Sequence, residues 1–190
     1  MHGVKRAKRD QRVVQSESAI IEAGIRTLLE NPTAGMSEVA VASGVGRTTL
    51  YRHYDSREAL IRAIALRCMD EIDRALEPLQ SSTGQSPIAA TFEALMPVAD
   101  RYRFLSTIWA EVDADPHVAE RLQASNRDTL ALIEYAQSEG EIDPTLPADW
   151  LTEFFSMTLY AAWSYLESEK GTGEVAARLA TRSFLSGCKP

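Results

Sequence analysis

Apolar positions recur with a helical period along almost the whole chain. Val13, Ile20, Ile21, Gly24, Ile25, Leu28 and Leu29 share one broad face, which predicts a helix from Val13 to Glu30. Asn31-Pro32-Thr33-Ala34-Gly35 ends it. From Met36 the pattern gives a short helix with a small-residue face of Val39, Ala40 and Ser43, a break at Gly44-Val45-Gly46, and a second short helix from Arg47 to Tyr54 anchored by Leu50. Leu60, Ile61, Ile64, Cys68, Ile72, Leu76 and Leu79 then continue at helical spacing, behind a start at Asp55 or Ser56 with capping-box spacing to Glu58. The polar loop 80–87 marks a boundary. Further helices are predicted at 88–96, 101–112, 117–139, 148–168 and 173–186, separated by Pro97, Asp115-Pro116, Gly140 with Pro144 and Pro147, and Gly171 with Gly173. No stretch alternates with period two, so the expected fold is all-α.

Two short helices around a glycine turn, the second polar, are the pattern of a helix-turn-helix, whose second helix enters the DNA major groove. Arg47 can fork onto guanine or a phosphate, Thr48 and Thr49 offer hydroxyls and methyls, and Tyr51, Arg52 and His53 carry long donors. Leu50 and Tyr54 read as core. The segment also resembles one family. Gly44-Val45, Arg47-Thr48, Thr49-Leu50-Tyr51, Tyr54 and Ser56-Arg57-Glu58-Ala59-Leu60 are similar to the recognition segment of TetR (tetracycline-repressor) transcriptional regulators. The match runs over roughly residues 13–66. Gly46 stands where a hydroxyl residue is common, and Arg57 where Lys is usual. The resemblance implies backbone phosphate contacts for Tyr51 and His53. Arg57, a cation in the first turn of its helix against the helix dipole, is expected to reach a phosphate too.

Charge sharpens the picture. The chain carries a net −7, which alone argues against a polyanionic partner. Residues 1–67, however, hold 11 Lys and Arg against 7 Asp and Glu, a balance of +4, and residues 68–190 hold 9 against 20, a balance of −11. The basic part coincides with the helix-turn-helix, as phosphate attraction requires. Lys5, Arg6, Lys8, Arg9 and Arg12 form either a solvated tail or an arm that adds phosphate contacts. Cys68 and Cys188 lie far apart without metal-ligand spacing, and no apolar run reaches the roughly 20 residues a bilayer demands. A cytoplasmic protein is expected.

The helix from Ala148 to Ser168 is apolar all round, so more than one side must be covered. Small Ala161 and Ala162 would permit close approach of another helix. Phe155, Leu159, Ala162 and Trp163 with Leu179 and Phe184 are expected at a two-fold homodimer interface, an arrangement the family resemblance also implies. Met96, Phe104, Trp109, Tyr135, Met157 and Tyr160 could line a cavity, and the resemblance implies a small-molecule effector there; an apolar or aromatic one suits that lining. Glu111, Asp113, Asp115 and His117 suggest a metal or acid-base cluster. Their spacing of two fans the side chains around a helix, and Asp115 is suited to cap the next one, so a solvated helix end is expected, with no metal and no cofactor. No catalytic motif is present. These residues predict a three-helix DNA-binding domain over 1–55, a connecting helix over 56–79, and a ligand-binding and dimerisation bundle over 80–190. The function expected is repression at a pseudo-palindromic duplex operator, relieved by ligand. The alternatives are a regulator of the same fold without a small-molecule ligand and, from another class, a metal enzyme built on Glu111, Asp113 and His117.

Overall fold

The computed structural model describes residues 2–81, 86–112, 115–168 and 170–189, with the side chains of 2–13, 80, 81 and 109–112 set aside. The described chain is all-α. Its α-helices are α1 (His2–Glu30), α2 (Met36–Ser43), α3 (Arg47–His53), α4 (Arg57–Leu76), α5 (Pro87–Leu95), α6 (Ala99–Val112), α7 (Pro116–Ser138), α8 (Ala148–Glu167) and α9 (Gly173–Gly187). Short 3-10 turns follow α4 and α5, the second containing Pro97. Most predicted boundaries fall within a few residues. The chief difference is α1, which starts at His2 instead of Val13 because Lys, Arg, Ala and Gln in this stretch are good helix formers. The side chains of Lys5, Arg6, Lys8, Arg9 and Arg12 lie outside the described ones.

Two compact units emerge. One comprises residues 1–67 with 104–115, the other 68–103 with 116–190, so the division falls inside α4 and α6 and not at the 80–87 loop. In the first unit Ile20, Ile25, Leu28, Val39, Leu50, Leu60 and Ile64 are at most 1% exposed. Gly24 belongs to this core for a steric reason: a Cβ there would stand 2.6 Å from Ile64 Cδ1. Its absence lets α1 and α4 approach closely.

The second unit is organised by phenylalanines. Phe92 stacks on Phe155 with centroids 4.5 Å apart, and Phe184 meets Phe155 edge-on at 5.6 Å. Arg103 lies over the Trp163 ring, 4.0 Å from Cζ to the centroid, and pairs with Glu167 at 3.1 Å. The predicted break after α7 is a built turn. Gly140 takes a left-handed φ of 76°, and the Gln137 amide donates to the carbonyls of Asp143 and Leu146, both at 2.9 Å. Asp143 accepts from the Thr145 N–H and hydroxyl, contacts that hold its carboxyl below the usual range. Ser86 caps α5 by accepting from Ala89 N, and Thr172 caps α9 by accepting from Val175 N.

Candidate nucleic-acid interface

Local sequence dictates the reading pair. α2 stops at Gly44, whose φ of 68° is left-handed and suits a residue without Cβ, while the Ser43 hydroxyl accepts the Val45 N–H at 3.3 Å. Gly46 then starts α3 in extended geometry with no side-chain cap. Leu50 is 0% exposed and is the one buried side chain of the seven in α3. Its neighbours therefore face outward. Arg47, Thr48, Tyr51 and Arg52 are exposed, Thr49 is half-buried, and α3 holds no carboxylate. Leu50 and Tyr54 are core, as the pattern predicts. Val41, 83% exposed near the end of α2, is an outward methyl-bearing side chain that the apolar pattern alone does not flag as surface.

Two of the expected contacts are placed differently. His53 is half-buried, and its Nε2 is closed to solvent without a hydrogen-bond partner among the described residues, so any contact with a phosphate must use Nδ1. Arg57 turns inward. Its Nε donates to the Ala34 carbonyl at 2.9 Å and its Nη2 to the Pro32 carbonyl at 2.5 Å. Ser56, not Asp55, caps α4, accepting from Ala59 N at 3.1 Å. The Tyr54 hydroxyl is buried and unpartnered among the described residues. Burial, with Glu17 nearby, pushes it up to about 12.

Of the expected ligand residues, Met96 is 6% and Phe104 0% exposed. Tyr135, Met157 and Tyr160 are 54%, 59% and 42% exposed and open to solvent. The side chain of Trp109 lies outside the described ones. Between α5 and α9 there is a surface groove of about 310 Å³ lined by Ala89, Glu93, Arg178, Thr181, Arg182, Leu185, Ser186 and Lys189, none of them among the expected ligand residues.

The expected interface residues need a similar correction. Phe155, Leu159, Ala162, Trp163 and Phe184 are each at most 6% exposed within a single protomer, because they form the inward stripe of α8 and its partner on α9. Leu179 alone of that set is exposed, at 45%. The outward stripe of α8 is instead Trp150, Glu153, Met157, Tyr160, Ala161 and Ser164, spaced three and four apart. Glu153 and Ser164 between the aromatics are the signal in the sequence that marks this stripe as surface. In the acidic cluster, Asp115 pairs with Arg62 at 3.0 Å, His117 is exposed, and Asp113 and the Glu111 side chain lie outside what is described. Among the described residues no group of His, Cys, Asp and Glu could hold a metal ion.

Comparison with known proteins agrees with the geometry of the reading pair. Residues 20–64 match the model for bacterial regulatory proteins of the tetR family, and these are the residues of the helix-turn-helix. Over these residues the chain carries a tetR-family DNA-binding segment. It is similar to the transcriptional repressor LfrR of Mycolicibacterium smegmatis, 26% identical over 152 residues covering 78% of each chain. It also resembles the transcriptional regulator UidR of Escherichia coli, 25% identical over 161 residues covering 82% of each. The crystal structure of LfrR in complex with proflavine superposes with a TM-score of 0.75 at 22% identity, over 93% of this chain and 97% of that one. The ketosteroid regulator KstR2 of Mycobacterium tuberculosis superposes with a TM-score of 0.73 at 15% identity, over 92% and 95%. By these likenesses the chain is a DNA-binding transcriptional regulator. No described helix is long and apolar enough to cross a membrane.

Proposed function

We propose that this regulator is a cytoplasmic repressor that binds a pseudo-palindromic operator as a homodimer and leaves it when a small aromatic effector binds. One observation carries the DNA part: a seven-residue helix buries Leu50 alone and turns Arg47, Thr48, Tyr51 and Arg52 to solvent with no carboxylate among them. Arg47 is the residue for guanine or for a phosphate, Arg52 and Tyr51 fix the register on the backbone, and Thr48 and Thr49 meet a phosphate or a thymine methyl. Selection of bound duplexes from a random pool tests this. The expected yield is an inverted repeat with half-site centres one helical turn apart, roughly 34–36 Å. Arg47→Ala is expected to weaken binding to that duplex by about 1–3 kcal/mol while leaving the folded chain intact. Enrichment of no sequence would sink the reading.

The dimer is supported by the outward stripe Trp150, Met157, Tyr160 with Leu179, a run of large apolar side chains more exposed than a lone protomer needs. An aromatic effector is supported by the resemblance to LfrR, a protein solved with proflavine. A ligand that binds better to a state in which the two heads do not fit the operator lowers affinity by differential binding alone. Proflavine is thus the first probe, with release of the selected duplex as the readout. The second reading is a regulator without a small-molecule ligand. The surface placement of Tyr135, Met157 and Tyr160 favours it, because it removes half of the expected cavity lining.

A further inference from the structure

We infer that Arg57 is a positioning residue, which locks the entrance of α2 to the start of α4 and thereby sets the pose of α3 on DNA without gripping a phosphate. The inference rests on the DNA-binding reading above. It corrects what the sequence suggested for this residue.

The turn from Asn31 to Gly35 satisfies its own donors. Asn31 Oδ1 accepts from the Thr33 N–H at 3.1 Å and the Thr33 hydroxyl at 2.8 Å, Ala34 N donates to Asn31 O at 2.9 Å, and Gly35 N donates to Glu38 Oε2 at 2.8 Å. The carbonyls of Pro32 and Ala34 point the other way and are taken by Arg57, 25 and 23 residues further along the chain. A planar guanidinium offers two N–H donors at fixed separation, which matches two carbonyls two residues apart; a lysine ammonium is a single point and cannot hold both in one geometry. The two carbonyl acceptors also explain why a cation tolerates the first turn of a helix, where the dipole opposes it.

The clamp acts on α3 through α2. Its anchor on Ala34, itself 1% exposed, lies two residues before Met36, where α2 begins, and α2 delivers α3 through the Gly44 turn. Shifting the entrance of α2 shifts Arg47 and Tyr51 relative to a groove that discriminates at hydrogen-bond precision.

Counterion release separates the two roles. Removing one phosphate-binding cation makes the slope of log affinity against log salt shallower by about 0.9, whereas a misplaced helix weakens binding at every salt concentration alike. The experiment measures binding of the pool-selected duplex over a salt series, well below thermal unfolding, for the wild type, Arg57→Lys and Arg57→Gln. Hydrogen exchange at residues 36–43 is followed in parallel. Expected are about tenfold weaker binding for both variants, with parallel salt slopes, no rescue by lysine, and faster exchange in α2. Wild-type affinity with Arg57→Lys and a slope shallower by about one phosphate with Arg57→Gln would make Arg57 a DNA contact and overturn the inference. Wild-type affinity and exchange for both variants would overturn it equally. If the wild type selects no duplex, the DNA-binding reading fails on its own, and exchange in α2 still decides the clamp.

Discussion

α3 and α8 carry the outward chemistry of this protein and solve opposite problems. α3 has seven residues and buries one; α8 has 20 and buries six, yet still turns Trp150, Met157 and Tyr160 outward. A helix as short as α3 is marginal by itself and owes its existence to the packing of Leu50. Everything else on it is free to be polar. α8 is held along its whole length by Phe155, Leu159 and Trp163, so its far side can be apolar without threatening the fold. The contrast teaches what to expect of each surface. Hydroxyls and guanidiniums in water suit a hydrated polyanion, and large apolar side chains in water suit another protein surface.

The sharpest way to break the comparison is to attack the inward side of the bundle. Phe184→Ala removes a ring that is 0% exposed and touches three other phenylalanines, and is expected to cost about 3–5 kcal/mol in urea unfolding. A loss below about 1 kcal/mol would mean the ring is not core. Next, Met157→Glu with Tyr160→Glu tests the outward side. Stability should change little, while sedimentation should move the protein from the proposed dimer to a 21.0 kDa monomer. An unchanged dimer would place the interface elsewhere.

Smaller effects sharpen the head. Tyr54 has its folded value raised to about 12 from 10, so its contribution is fully present below pH 10 and is lost as pH rises through 12. Tyr54→Phe should flatten that loss and, by deleting an unpartnered hydroxyl, leave stability at pH 7 equal or slightly higher. A drop at pH 7 would reveal a partner for the hydroxyl. The smallest effect is Gly46→Ser. The cap position is extended, with open space where a Cβ would sit, so a serine hydroxyl should add a few tenths of a kcal/mol to stability. A lower melting temperature would show that the bare glycine is needed there.

Most of the fold could be read from the chain because its punctuation is chemical. Gly44 needs left-handed backbone, Pro87 and Pro116 open helices, and Gly140 closes one, each for a reason visible in one residue type. The outward face of α3 was equally legible, since only Leu50 among its residues belongs in a core. What failed was direction within an apolar helix. Phe155 and Met157 are two positions apart and both hydrophobic, and only the polar Glu153, one turn before Met157, marks Phe155 as the one that faces Phe92. Arg57 failed for a related reason: its partners lie more than 20 residues away, and the sequence shows a cation without showing the two carbonyls that wait for it.

The apolar strip on α8 makes cellular abundance part of the regulatory arithmetic. If copies must pair across it before two heads can engage one site, then at low expression the number of paired molecules rises with the square of the copy number. A modest change in synthesis would then switch occupancy more steeply than the change itself, and a culture that divides faster than it makes the protein would lose silencing abruptly.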